Sequence, residues 1–128
     1  MTTIVDPNGT PIPVYNRGGV TIQTITANGT TFGSGTQVVS PSGHAVVSVI
    51  TSANPDTAFI LPVGADIGDV VECYPERSTF DVSHLPRAFP ATGDTILQGS
   101  ISSLQIPQFG GFFRKITSTD WIYFHGGG

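Results

Sequence analysis

The sequence predicts an all-β fold: a β-sandwich or small β-barrel of about eight to ten short strands, with an extended N-terminal arm. Three observations predict it. No window sets apolar residues at i, i+3, i+4 and i+7 among good helix formers. Short β-branched and aromatic runs recur instead at about 8–12-residue spacing, each bounded by a turn signal. The turns are supplied by 16 glycines and 10 prolines in 128 residues, well above ordinary usage. At 13.4 kDa the chain is one domain's worth of polypeptide.

Residues 1–19 read as the arm. Pro7, Pro11 and Pro13 lack ladder donors, and Asp6-Pro7-Asn8-Gly9 makes a turn. Ile4, Val5, Ile12, Val14 and Tyr15 are apolar teeth. Such an arm lies on its own domain, a neighbouring copy or another surface, and a frayed terminus is the plainer alternative. These five are the candidate subunit- or shell-contact residues. Residues 20–124 form a single β domain, and the Gly-rich tail 125–128 carries no structure by itself.

Val20 to Ala27 is the first strand of the domain, with a change of apolar phase between Ile22 and Ile25 that predicts a bulge. Thr36 to Ser40 follows, closed by Pro41-Ser42-Gly43. His44 to Thr51 is apolar on both faces, as expected of a strand covered on both sides. Ala58 to Leu61 ends at Pro62, and Gly64 to Asp69 is turn-rich. Val70 to Tyr74 is a strand stopped by Pro75, and Thr79 to Val82 is another candidate. Pro90 to Asp94 turns into a short extended Thr95 to Leu97. Ile101 to Ile106 alternates, Phe112 to Thr117 follows Gly110-Gly111, and Trp121 to Phe124 closes the domain.

Charge is scarce, at 11% of residues against about 25% in an ordinary soluble domain. Up to Ala53 only Asp6 and Arg17 are charged, and Lys115 is the single lysine. A free monomer normally carries a mixed charged surface, whereas interface cores are poor in charge and above all in lysine. Self-association or docking on a larger body is the expectation, against a neutral Thr/Ser-rich surface that touches nothing. A net charge of −4 with five basic residues argues against binding nucleic acid through its phosphates. The absence of an apolar run of about 18 residues argues against a membrane-spanning helix. The opening residues Met1 to Pro7 do not read as a signal peptide.

Motifs for chemistry are sparse. His44, His84 and His125 stand apart from any metal-ligand spacing, and Cys73 shares a strand face with Val71, so it reads as a small core residue. No cofactor is implied. Asp66, Asp69, Glu72 and Glu76 form the one acidic cluster. Their spacing of three, three and four differs from the two-residue spacing of a calcium loop, so a solvated rim is the simpler account, with calcium kept open. No pairing of side chains points to acid–base or nucleophilic catalysis, so the chain does not read as an enzyme. A sugar hydrolase would need two carboxylates about 5–10 Å apart in a cleft.

The second half is more specific. Phe59-Ile60-Leu61-Pro62 is followed by Gly68 to Tyr74, then Phe89-Pro90-Ala91-Thr92-Gly93-Asp94-Thr95-Ile96. Phe113 to Ile116 and Thr119-Asp120-Trp121-Ile122 complete the order. In that order, residues 58–124 resemble a β-rich module of small virion proteins of tailed bacteriophages, the head decoration or cement proteins and some fibre-associated proteins. Two features depart from the pattern. Pro75 follows Tyr74 where the module usually has Asn, and Ser83 to Ala88 read as added loop. Physically, Gly93 permits a tight turn, Asp94 can cap it through the following amides, and Trp121 can close a core layer.

The resemblance implies a structural protein, a homotrimer on the outer surface of the capsid that binds the major capsid protein and stabilises the assembled shell. The alternative is a tail-fibre or baseplate module that binds host-surface glycans, which predicts an exposed aromatic platform among Phe109, Phe112 and Trp121.

Overall fold

The structure is a computed structural model. It describes the chain except residues 1, 6–10, 18–19, 40–42, 52–55, 77–82 and 126–128, and gives the backbone without the side chains for residues 2–5, 11–17 and 125. The described residues are all-β, with twelve strands and two 3₁₀ turns, at Phe32–Ser34 and Leu97–Gly99. The strands are β1 (Thr2–Val5), β2 (Pro11–Arg17), β3 (Val20–Thr26), β4 (Thr36–Gln37), β5 (His44–Ile50) and β6 (Ala58–Ile60). Next come β7 (Val70–Pro75), β8 (Arg87–Phe89), β9 (Thr95–Ile96), β10 (Leu104–Gln105), β11 (Gly111–Lys115) and β12 (Asp120–His125).

They form two sheets. The large one has the order β1-β2-β3-β5-β7-β11-β12-β9, and the small one β10-β8-β6-β4. Between β3 and β8 the chain winds like a solenoid, alternating between the sheets. β3, β5 and β7 pair in parallel in the large sheet, and β4, β6 and β8 in the small one. Parallel neighbours need a crossover, and here each crossover is a strand of the other sheet, so both faces of the winding are β. At the C-terminal end β11 turns antiparallel on β7, and β12 antiparallel on β11.

The core lies between the sheets. The cross-strand row Ala45, Val71 and Phe113 is buried on the large sheet, as are Val47 and Cys73 one row over. They meet Phe59, Leu61 and Ala88 from the small-sheet side and Ile96, Ile106 and Trp121 from the C-terminal end. Burial of each large apolar side chain contributes about 1.5–3 kcal/mol. Gly110 feeds β11 into this layer at φ +79°, where a Cβ would overlap the Tyr74 ring and the Cys73 carbonyl oxygen.

Several expectations need correction. The segment expected to be an extended arm contains β1 and β2, an antiparallel pair laid on β3. β2 pairs with β3 only over Val14–Arg17. Pro11 and Pro13 lie beyond that stretch and face β1 alone, as residues without an N–H require. β3 has no bulge: its pairing with β5 is continuous from Val20 to Thr26. The apparent phase change arises because Gln23 is buried and Ile22 exposed. The Gln23 side-chain amide donates to the Val39 carbonyl (2.9 Å) and accepts from the Val39 N–H (3.0 Å), replacing a missing ladder partner. Ser83 to Ala88 are not simply added loop. Arg87 and Ala88 belong to β8, with Ala88 fully buried, and Arg87 pairs with Asp56 at 3.2 Å. Of Ile101 to Ile106 only Leu104–Gln105 is a strand, with Ile101 making an isolated bridge to Ile96. Thr79 to Val82 lie outside the described residues.

Candidate functional site

No pocket opens on the described residues, so two other arrangements stand out. The first is a buried polar cluster where β9, β11 and β12 meet. Alternation along β11 puts Lys115 in phase with Phe113, and register sets it opposite Trp121. The only lysine of the chain is therefore interior, with 2% of its side chain exposed. Its Nζ donates to Asp94 Oδ2 at 2.8 Å, and the Trp121 indole N–H donates to the same oxygen at 3.3 Å. The ammonium also lies 5.1 Å from the Trp121 ring centroid, within cation–π range.

Asp94 was expected to cap its own turn. Gly93 does take the left-handed conformation there, at φ +88°, but the Asp94 carboxylate serves Lys115 and Trp121 instead. A charge-assisted bond to a buried ammonium outweighs a local cap that water could replace.

Beside this cluster, Asp120 accepts from Thr95 Oγ1 and from the Gln98 N–H, both at 2.7 Å. These bonds hold a turn in which Leu97 (φ 50°) and Gln98 (φ 57°) are both left-handed, a conformation costing about 1–3 kcal/mol per residue. The other carboxylate oxygen, Oδ2, is buried without a hydrogen-bond partner. The cluster thus ties β9 and the following turn to the closing hairpin. Sequence reading left Lys115 unused; the available signal was its phase with Phe113.

The second arrangement is the outer face of the large sheet. Register aligns Ile22, Val46, Glu72, Phe112 and Phe124 in one row across five strands. Ile22 is 46% exposed and Phe124 45%, and Phe112 stacks on Phe124 with centroids 5.0 Å apart. The carboxylate in this row has its contacts within the face. Glu72 Oε1 lies 2.5 Å from His44 Nε2, and Glu72 Oε2 accepts from the Tyr74 hydroxyl at 2.8 Å. That bond, with some burial, raises the Tyr74 pKa.

The acidic residues singled out by spacing do not converge. Asp69 Oδ2 accepts from the Asp66 N–H at 2.9 Å within a turn, while Glu72 is engaged with His44 and Tyr74. Among the described residues no group of three or more His, Cys, Asp or Glu could hold a metal ion, and no helix is long and apolar enough to cross a membrane. Cys73 is fully buried beside Val47, and burial pushes its thiol pKa up strongly.

Of the aromatic trio, Phe109 is 55% exposed, Phe112 half-buried and Trp121 fully buried, so Trp121 is a core residue and leaves the platform. The arm residues take register positions. Ile4 stands opposite Ile12, Val5 opposite Pro11, Val14 opposite Gln23, and Tyr15 opposite Ile22. Their side chains lie outside the described residues.

No protein-family model matches the chain, and no curated protein or solved structure matches it.

Proposed function

We propose that the chain is a structural subunit of a tailed-phage virion, a capsid decoration protein that assembles as a homotrimer on the outer shell and holds neighbouring capsid subunits together. The two facing sheets would then serve as a compact sandwich-like body, with the β1–β2 hairpin as its contact element.

The observation that carries the reading is where the uncharged half of the sequence goes. Residues 1–53, with only two charges, supply β1, β2, β3 and β5, one whole end of the large sheet. β1 and β2 extend that sheet beyond β3, while the small sheet ends at β4. A neutral overhang of this kind suits contact with protein, since interface cores are depleted in charge. The motif order across residues 58–124 supports the choice of family. Binding to the assembled shell but not to free capsid subunits would stabilise the shell by mass action.

Exposed Phe109 favours a second reading, a tail-associated module that binds host glycans through aromatic stacking. Immunogold labelling and cryo-EM of the virion that carries this chain separate the two. Trimeric density on the head supports the decoration reading. Density at the tail tip together with binding on a glycan array supports the second. Absence from the particle overturns both. Deleting residues 1–17 is expected to abolish head binding. Unchanged binding would remove Ile4, Val5, Ile12, Val14 and Tyr15 from the contact.

A further inference from the structure

We propose that the outer face of the large sheet is the surface through which copies of this chain bury against one another, three such faces turned toward a common axis. The inference rests on the assembly reading above and deepens it by assigning the face.

Area is the first argument. Strands β2, β3, β5, β7, β11 and β12 lie side by side. At about 4.8 Å between strands and about 3.3 Å per residue, they present roughly 600 Å². A stable interface takes about 800 Å² per partner, and these six strands, with polar Thr24, Ser48 and Glu72 among the apolar positions, supply most of that area. The flanking strands β1 and β9 extend the same face toward the required size.

Charge is the second argument. A partner selected by charge needs an unsatisfied charge to read. Here Glu72 Oε2 accepts from the Tyr74 hydroxyl and Oε1 lies against His44 Nε2, so the one carboxylate in the row is turned to its own neighbours. Around a three-fold axis each copy packs part of this face against a different part of its neighbour's, so the apolar rows cover one another in a closed ring. Arg114 is exposed in the row of Val70 and Ile122, toward one end of the strands, where a polar rim belongs.

The stacked pair Phe112 and Phe124 is the third. Phe124 leaves nearly half its surface in water although a neighbouring ring is within stacking distance. Large aromatic side chains that are ordered yet uncovered are the usual anchors of protein interfaces.

The test is the mass of the full chain in solution by light scattering over a concentration series. Three proteins are compared: wild type, the double variant Ile22→Glu/Phe124→Glu, and a control, Val63→Glu, in the exposed turn after β6. Wild type and control are expected at three times 13.4 kDa, and the double variant at the monomer mass with an unchanged circular dichroism spectrum. A double variant that assembles like wild type overturns this face and leaves the assembly reading standing. A wild type that stays monomeric at high concentration overturns both. If the double variant loses its spectrum, hydroxyl-radical oxidation of Phe124 in the wild type decides. Oxidation that rises on dilution supports the face, and oxidation independent of concentration overturns it.

Discussion

Lys115→Met probes the buried cluster most directly. Methionine keeps the length and apolar stem of lysine and removes only the ammonium. The carboxylate of Asp94, whose side chain is 12% exposed, then retains the Trp121 indole N–H, at 3.3 Å, as its one remaining hydrogen-bond donor in the cluster. Stranding one member of a buried ion pair costs about 3–5 kcal/mol, which lowers the folding equilibrium by about two to four orders of magnitude. Asp94→Asn in turn strands the Lys115 ammonium, 2% exposed, with only a neutral amide oxygen to accept from it, and is expected to cost a similar amount. The double variant carries no charge at either position of the pair and keeps an acceptor for the indole. It is expected within about 2 kcal/mol of wild type, so the two changes are strongly non-additive. Urea unfolding followed by the fluorescence of Trp121, the single tryptophan, measures all four proteins at the site itself. Salt should alter the result little, because the pair is screened from solvent. A Lys115→Met protein within about 1 kcal/mol of wild type, or strict additivity, would refute the argument that desolvation governs this pair.

Gln23→Leu is expected to cost about 2–4 kcal/mol by denaturant titration, since it strands the Val39 N–H and carbonyl together. Gly110→Ala should lower stability by at least about 2 kcal/mol in the same assay, because φ +79° and the crowding by Tyr74 and Cys73 act together. The Cys73 thiol, raised by burial and then by the nearby Glu72 charge, should ignore a thiol reagent in native protein at pH 8 and react once urea unfolds the chain; prompt native labelling would contradict its burial. Burial, with a smaller contribution from Cys73, pushes the Tyr123 hydroxyl up to about 12, against about 10 in an unfolded chain. The stability tied to this shift is complete below about pH 10 and declines as pH rises toward 12. Melting temperatures across that range, beside phenolate absorbance, check the sign.

Much of the β architecture was legible in sequence because its signals are local. β3, β5 and β7 were visible as β-branched or alternating runs, and the positive φ of Gly93 matches the expected turn. The burial of Cys73 followed from its phase with Val71. β8 was hidden because it is three residues between Pro86 and Pro90, too short to show a period. Gln23 imitated a bulge because its partner, the Val39 backbone, is supplied by a segment 16 positions away.

Sequence by itself determined the all-β class, most strand positions and the neutral N-terminal half, because alternation, turn chemistry and charge act over a few residues. Tertiary structure alone decided that successive strands pair in parallel through a second sheet, since short strands at even spacing suit a meander equally well. It also decided that Asp94 serves Lys115, 21 residues away, and not its own turn. Desolvation depends on what surrounds a side chain in space, and that is set only when the two sheets close over the core.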